Sequence, residues 1–285
     1  MDRRTALTLL GTSALGPHAE PWARRGTALT GAGRLKQSVS RWPYSSIPLP
    51  DFCGACRDIG LAGIDLLGPE DWPVVADHGL VVTMGYPTAR RDFIATGFND
   101  PANHAMLLRE LEDTIPRAAD ARVPNGIAMF GNRRGTDDAA GIEHCVAGRK
   151  RIAPLAEERG VTVCVELLNS RVDHADYQGD HTAFGAAVIE GVGSPRVKLL
   201  FDIYHMQIME GDVIRTIRHN IAHIGHFHTG GVPGRHEIDD GQELNYRAVA
   251  RAIADSGFHG YVAHEFVPSR DPLTSLREAV AICDV

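Results

Sequence analysis

Long apolar segments are missing from this sequence, because no stretch approaches the roughly 18 consecutive apolar residues that a membrane-spanning helix requires. Positive charge is also scarce, since 29 lysines and arginines face 36 aspartates and glutamates and leave a net charge of −7. Proteins that bind nucleic acid rely on clustered lysine and arginine to neutralise phosphates. The composition therefore predicts no membrane insertion and no nucleic-acid partner, and it leaves small polar substrates open.

Cysteine is sparse as well. The five cysteines cannot all pair, and a chain of 285 residues can build a core without disulfides. Cys53 and Cys56 form a CxxC pattern, but no second CxxC and no thioredoxin-like context accompanies it. We expect both to be small buried residues, one turn apart on the first helix. A glycine-rich GxGxxG is also missing after every predicted strand, so dinucleotide binding has no support.

The N-terminus carries paired arginines, Arg3 and Arg4, followed by a short apolar stretch that ends at Gly16. This arrangement resembles a twin-arginine export signal, although the apolar region is brief and no clear A-x-A cleavage site precedes Trp22. We expect residues 1–34 to be a leader, disordered or removed, which places the mature protein in the periplasm. The alternative is an unstructured leader on a cytoplasmic protein.

From Lys36 onward, short β-rich runs alternate with amphipathic segments of helix length. The predicted strands are Gln37–Arg41, Gly63–Leu67, Leu80–Gly85, Gly126–Phe130, Thr162–Leu168, Lys198–Ile203, Ile221–Thr229 and Gly260–Phe266. The predicted helices are Pro50–Ile59, His104–Ala121, Asp137–Arg159, Thr182–Gly191, Asp212–His219, Tyr246–Asp255 and Leu273–Ile282. Several strands are continuous apolar runs, as parallel strands covered on both faces require. Eight such β-then-α units predict an α/β fold, a single-domain (β/α)₈ TIM barrel over residues 35–285.

Three carboxylates and one imidazole fall at the ends of four successive predicted strands: Glu166, Asp202, His228 and Glu265. Barrel enzymes build their active sites at this place, where strands end and βα loops begin. Buried carboxylates are costly unless they are paired or bind a cation, and three together would repel one another. The pattern favours one divalent metal ion, Mn²⁺ or Mg²⁺, with Co²⁺ or Zn²⁺ tolerated by the imidazole. The alternative is that each residue is paired separately in the core.

Four segments carry a family resemblance: VELLN (165–169), LLFDIYHMQIMEGD (199–212), HTGGVPGRHEIDDGQELNY (228–246) and HEFVPSRDPL (264–273). Together they resemble the xylose isomerase-like barrel superfamily, and most closely the hydroxypyruvate isomerase family, from about Lys36 to the C-terminus. The resemblance implies that the four strand-end residues are the metal ligands and that Glu166 and Glu265 are the catalytic pair. It also implies that His205 contacts the substrate, and it matches Arg235 to an arginine in the loop after strand seven.

The implied reaction is isomerisation of a small 1,2-hydroxycarbonyl substrate, hydroxypyruvate in the family's named case. A metal ion would polarise the carbonyl and stabilise the enediolate, while one glutamate removes the α-proton and the other returns a proton to the neighbouring carbon. Two departures matter: hydroxypyruvate isomerases carry Gln where His228 stands, whereas ketose 3-epimerases carry His, and the leader is unlike a cytoplasmic isomerase. Ketose 3-epimerisation, or elimination from a 3-keto-glycoside, therefore remains an alternative that uses the same proton abstraction.

Further polar residues near the predicted strand ends are candidates for substrate contacts, against a role in loop packing: His174, His181, Asn132, Arg133 and Glu237. His226 has the parity of His228 and is expected one layer deeper, whereas His264 should point to the other face of its strand. Trp42 ends strand one and either walls the pocket or packs.

Two other function classes have weaker support. Apurinic-site endonucleases share the barrel, but they carry a trinuclear zinc cluster with extra histidines after strands three and four. Gly85-Tyr86 and Gly131-Asn132 stand at those places here. A non-catalytic binding barrel is disfavoured by the intact Glu166 and Glu265, and a homo-oligomer is left open.

Overall fold

The structure, a computed structural model, describes residues 33–285. The predicted leader therefore lies outside the described residues, apart from its last two positions. Within the described range no helix is both long and apolar enough to cross a membrane.

Eight parallel strands form one closed barrel in chain order, each hydrogen-bonded to the next and the last to the first. They are β1 (Lys36–Ser40), β2 (Gly63–Leu67), β3 (Val81–Gly85), β4 (Asn125–Met129), β5 (Thr162–Glu166), β6 (Val197–Asp202), β7 (Ile224–Thr229) and β8 (Tyr261–His264). Almost every strand residue is buried, which explains why these strands read as continuous apolar runs. The predicted (β/α)₈ fold is confirmed.

Nine helices cover the outside of the barrel within the described residues: α1 (Leu49–Ile59), α2 (Trp72–Asp77), α3 (His104–Asp120), α4 (Asp138–Arg159), α5 (Thr182–Val192), α6 (Ile203–Met209), α7 (Val213–Asn220), α8 (Tyr246–Asp255) and α9 (Pro272–Cys283). Two of them, α2 and α6, were not among the predicted helices, because segments of six and seven residues are too short for a helical period to stand out. The predicted seventh strand was too long at its start, since Ile221–His223 forms a 3₁₀ turn.

The CxxC pair lies where the sequence placed it. Cys53 and Cys56 are buried, unpaired and one turn apart on α1. Burial raises the pKa of both thiols, which keeps them protonated and therefore poor nucleophiles and metal ligands. These residues belong to the packing between helix and barrel.

His264 provides a test of the barrel's pH stability. It is fully buried on β8, as the parity of the strand predicts, where its Nε2 lies 2.9 Å from Gln37 Oε1 and its Nδ1 lies 3.0 Å from Thr229 Oγ1. Both partners are neutral, and burial lowers the pKa of His264 to about 3. A histidine with a lowered folded-state pKa stabilises the fold above its unfolded pKa of about 6.5 and costs stability as the pH falls below it.

We expect the wild type to lose about 2 kcal/mol more of its unfolding free energy than His264→Gln between pH 7.5 and pH 5. Urea denaturation of both proteins at the two pH values measures this difference. For each protein, the unfolding free energy at pH 5 is compared with its own value at pH 7.5. An identical pH dependence for the two proteins would contradict a neutral buried His264.

Candidate active site

The four residues predicted at the strand ends lie together. Glu166, Asp202, His228 and Glu265 are all buried, and each offers one donor atom so that the four atoms lie within 4.8 Å of one another. His228 Nδ1 lies 2.7 Å from Glu265 Oε2, 3.2 Å from Glu166 Oε1 and 4.0 Å from Asp202 Oδ2. The ends of four neighbouring strands thus converge on one small volume.

The barrel register produces this convergence. Asp202 and His228 are directly paired between β6 and β7, Glu166 is the last residue of β5, and Glu265 directly follows β8. Asp202 also begins α6, where its side chain accepts a hydrogen bond from the backbone N–H of His205. One strand-to-helix turn therefore positions both Asp202 and His205.

The electrostatics of the cluster favour a bound cation. Burial, aided by the charge of Glu265, raises the pKa of Asp202 to about 7 and also raises the pKa of Glu166. Burial acts in the same sense on Glu265, but the Arg235 cation and His228 outweigh it and hold the pKa of Glu265 well below its usual range. Crowded, desolvated carboxylates of this kind gain most from a divalent ion.

Arg235 reaches into the cluster from the loop after β7. Its Nη2 donates to Glu265 Oε2 at 2.6 Å and to Asp202 Oδ2 at 3.2 Å. The guanidinium lies between the rings of Trp42 and Tyr204, 5.4 and 5.3 Å from their centroids. Trp42, in the turn after β1, also donates its indole N–H to Glu265 Oε1 at 2.7 Å, so this partly exposed side chain belongs to the site.

His205 is held in one tautomer by Asn169, a residue that the sequence did not single out. Asn169 Oδ1 accepts the backbone N–H groups of Val172 and Asp173, which turns its amide nitrogen towards His205 Nδ1 at 2.7 Å. Because Nδ1 accepts, Nε2 carries the proton. Nε2 is fully buried, has no hydrogen-bond partner, and lies 3.6 Å from Asp202 Oδ2. It is a free donor beside the cluster.

Asp65 is a second residue that the sequence did not reveal. It is fully buried in the middle of β2, and its Oδ2 accepts from Nε2 of both His228, at 2.8 Å, and His226, at 3.0 Å. Thr83 donates to its other oxygen. Burial would raise the pKa of Asp65, but its interactions with His226 and His228 hold it below the usual range. His226 is thus one layer deeper, as its parity predicts.

A cavity of about 290 Å³ opens above the cluster. Its lining includes Glu166, Glu265, Arg235 and His174, and its remaining wall is formed by large apolar and aromatic side chains: Trp42, Leu66, Tyr86, Ile94, Met129 and Leu168. His174 therefore lies where the sequence placed a substrate contact, with its ring 5.4 Å from that of His205. Burial lowers the pKa of His174.

Other predicted contacts are not brought to the cavity. The Glu237 carboxylate accepts from the side chains of Ser269 and Ser275 and from the backbone of the loop after β8, a structural role that argues against a substrate contact. Asn132 pairs with Tyr177 in an isolated bridge, and its carbonyl accepts from the Asn99 side chain. Arg133 pairs with Asp138, and His181 with Asp180. These residues organise the loops around the mouth.

The chain matches a family model described as xylose isomerase-like TIM barrel over residues 45–284. It belongs to this family. A 2-oxo-tetronate isomerase of Cupriavidus necator is 40% identical over 116 residues, which are 41% of this chain and only 44% of that protein. A provisionally named hydroxypyruvate isomerase of Xenopus laevis is 31% identical over 235 residues, 82% of this chain and 81% of that protein.

Among solved structures, that of an AP endonuclease, family 2, from Brucella melitensis superposes with a TM-score of 0.76 over 87% of this chain and 99% of that chain. At a sequence identity of 23%, this similarity is evidence of a shared fold and not of a shared function. The sequence relatives are isomerases, so the resemblance and the enzyme class predicted from the sequence are both confirmed at the level of the family.

Proposed function

We propose that this protein is a divalent-metal-dependent isomerase of a short 2-hydroxycarbonyl compound, hydroxypyruvate or a close 2-keto acid relative. The observation that carries the proposal is the buried cluster at the ends of β5 to β8, in which three carboxylates surround His228 Nδ1. That nitrogen is fully buried and makes no hydrogen bond, although three carboxylate oxygens lie within 4.0 Å of it. An imidazole nitrogen that gives up its proton among carboxylates suits a metal ion.

The donor set agrees with the ion that the family implies. Glu166, Asp202 and Glu265 supply oxygen and His228 supplies nitrogen, a combination suited to Mn²⁺ or Mg²⁺ and compatible with Co²⁺ or Zn²⁺. The four donors come from four strands of one rigid barrel, so their geometry is set by the fold and not by a flexible loop. When bound, the ion would polarise the substrate carbonyl and stabilise the negative charge that develops on its oxygen.

The protein's own side chains supply the remaining chemistry. We assign proton removal from the α-carbon and proton return to the neighbouring carbon to Glu166 and Glu265, which lie on opposite sides of His228 along the barrel wall. The Nε2–H of His205 would donate to a substrate oxygen, and burial keeps this imidazole neutral because it lowers the pKa of His205 well below its usual range. Arg235 would pair with the substrate carboxylate through its planar fork of donors.

The cavity supports a short substrate over a long polyol. Its volume of about 290 Å³ lies at the lower end of small-molecule sites. Its charged lining side chains, Glu166, Glu265 and Arg235, belong to the cluster, whereas Leu66, Ile94, Met129 and Leu168 give it an apolar wall. A hexulose would bring several hydroxyl groups against this apolar wall without hydrogen-bond partners, at a cost for each unpaired group.

A second candidate, ketose 3-epimerisation or a related elimination from a 3-keto-glycoside, is favoured by one residue. His228 stands where the hydroxypyruvate isomerases carry glutamine and the ketose 3-epimerases carry histidine. Turnover of hydroxypyruvate, several ketoses and 3-keto-glycosides with Mn²⁺ compares the candidates directly. A kcat/KM that is highest for a ketose or a keto-glycoside would overturn the keto-acid assignment and leave the metal site standing.

Metal content tests the common part of both candidates. We expect about one divalent ion per chain by elemental analysis, loss of isomerisation on chelation, and recovery on addition of Mn²⁺. Asp202→Asn, which removes one ligand charge, should lower the metal content, whereas Asp239→Asn on a surface loop should leave it unchanged. Three zinc ions per chain, or full activity of the metal-free protein, would contradict the mononuclear site.

A further inference from the structure

Beneath the four ligand candidates lies a second polar layer, Asp65 with Thr83, His226 and His228, which we name the Asp65 layer. All four side chains are fully buried, and they come from β2, β3 and β7. Oδ2 of Asp65 receives two imidazole Nε2 atoms, and its Oδ1 receives the hydroxyl of Thr83. A carboxylate placed in the middle of an apolar strand requires such partners.

The contacts place a hydrogen on Nε2 of His228. A carboxylate accepts and cannot donate, so Nε2 of His228 bears the proton at 2.8 Å from Asp65 Oδ2. The other nitrogen, Nδ1, faces Glu265 Oε2 and Glu166 Oε1 and is the one left to bind an ion. Asp65 on β2, across the barrel from β7, therefore orients this ring.

His226 and Thr83 hold the carboxylate in turn. His226 Nε2 lies 3.0 Å from the same Oδ2, and its ring meets that of His228 edge to face at 5.3 Å. With one oxygen fixed by two imidazoles and the other by a hydroxyl, Asp65 cannot rotate without breaking hydrogen bonds in a dry interior, where each lost bond is expensive.

We propose that Asp65 is a positioning residue that acts through the Nε2–H of His228 to present Nδ1 of His228 to the metal ion, with His226 and Thr83 fixing the carboxylate. This inference rests on the metal site proposed above and adds a residue that does not touch the ion. Carboxylate or carbonyl partners of this kind set the tautomer and the basicity of metal-binding histidines, and their loss typically costs 10- to 100-fold in metal affinity.

The Asp65 layer has one competing interpretation, a second metal site, because donor atoms of Asp65, His226 and His228 also lie within 4.8 Å of one another. The contacts favour hydrogen bonds. Both imidazole nitrogens lie at a normal hydrogen-bond length, 2.8 and 3.0 Å, from a single oxygen, and Thr83 donates to the other oxygen, so both oxygens of Asp65 are paired without an ion.

The direct test uses the metal-free wild type, and variants serve only to assign its signals. Two-bond ¹H–¹⁵N correlation spectra of the histidine rings report which nitrogen carries hydrogen. We expect hydrogen on Nε2 of both His226 and His228, with the signals assigned from His226→Gln and His228→Gln, in each of which the signals of one ring disappear. A His228 ring with hydrogen on Nδ1 and none on Nε2 would overturn the proposal, whether or not the protein binds a metal.

The second test measures Mn²⁺ affinity by calorimetry in wild type and Asp65→Asn. Asparagine keeps the shape of Asp65 but carries no charge, so its amide oxygen accepts more weakly from the two imidazoles, and its NH₂ group cannot accept the hydroxyl hydrogen of Thr83. The ring of His228 is therefore held less firmly. We expect the dissociation constant for Mn²⁺ to rise at least about tenfold. Asp180→Asn, which makes the same change in the Asp180–His181 pair on the β5–α5 loop, should leave it unchanged.

The outcomes separate the two proposals. Failure of the wild type to bind Mn²⁺ would reject the metal site. The ring spectra would still test whether Asp65 accepts the Nε2–H of His228. Tight Mn²⁺ binding by wild type with an unchanged dissociation constant in folded Asp65→Asn would reject the positioning role alone. Two ions in wild type and one in Asp65→Asn would show that Asp65 is itself a metal ligand, and would also overturn the positioning role.

Discussion

Glu265→Gln should lower the turnover number of the isomerisation about 1,000-fold, because it removes both a proton-transfer group and a ligand charge. The carboxylate is held at three points, by the Trp42 indole, by Arg235 and beside His228 Nδ1. Glutamine is nearly isosteric and can still accept from Trp42, so the cavity keeps its shape. The effect should therefore fall on kcat and not on folding.

Isotope exchange at saturating metal separates the loss of a base from the loss of metal. Solvent deuterium should no longer enter the substrate's α-carbon at a measurable rate in Glu265→Gln, even when Mn²⁺ is raised until the site is saturated. Glu143→Gln, an identical change at an exposed position on α4, is the matched control and should retain wild-type turnover. Continued α-carbon exchange in metal-saturated Glu265→Gln would assign proton removal to another group, with Glu166 the first candidate.

The sequence predicted the barrel because each βα unit repeats a local signal. A buried strand reads as an apolar run, a covering helix shows a periodic apolar face, and eight repeats leave few topologies open. The four ligand candidates were accessible for a similar reason. A carboxylate that ends an apolar strand, as Glu166 ends β5 and Asp202 ends β6, conflicts with its surroundings, and the conflict itself marks the site.

Asp65 is a site residue that this strand-end criterion did not find. It also sits in an apolar strand, GIDLL, and the same physical conflict was visible there. It lies in mid-strand and not at the strand end, however, and its partners His226 and His228 are more than 160 positions away in the chain. Side chains of β2 and β7 meet in one layer only because the barrel closes. Which side chains share a layer depends on the register between neighbouring strands, and the sequence pattern does not specify that register.

Loop residues were the least predictable part of the site. Glu237 lies two positions from Arg235, yet the chain turns so that one side chain enters the cavity and the other binds the loop after β8. Arg235 itself has a backbone φ of 59°, a conformation that few non-glycine residues adopt. The direction of a side chain in such a loop depends on individual backbone angles, for which periodicity gives no information. Asn169 was missed for the same reason.

Arg235→Ala should lower kcat/KM for hydroxypyruvate about 100-fold, chiefly through KM, because a buried guanidinium paired with an anion contributes several kcal/mol to binding. Within the described residues that line the cavity, Arg235 is the one permanently charged cation. It already contacts Glu265 and Asp202 through Nη2, so its remaining donors are available to a substrate carboxylate. Steady-state kinetics with hydroxypyruvate and with a neutral ketose, side by side, provide the measurement.

The two substrates must be compared because Arg235→Ala also removes a cation from beside the carboxylate cluster. Removing the cation beside Asp202 and Glu265 leaves their charge less compensated, so Mn²⁺ should bind Arg235→Ala at least as tightly as wild type. A defect confined to anionic substrates therefore reflects substrate anchoring and not metal loss. Arg134→Ala, an exposed arginine on the loop after β4, is the control that removes the same charge away from the cavity. If KM for hydroxypyruvate is unchanged in Arg235→Ala, the anionic substrate is wrong and a neutral sugar becomes the better candidate.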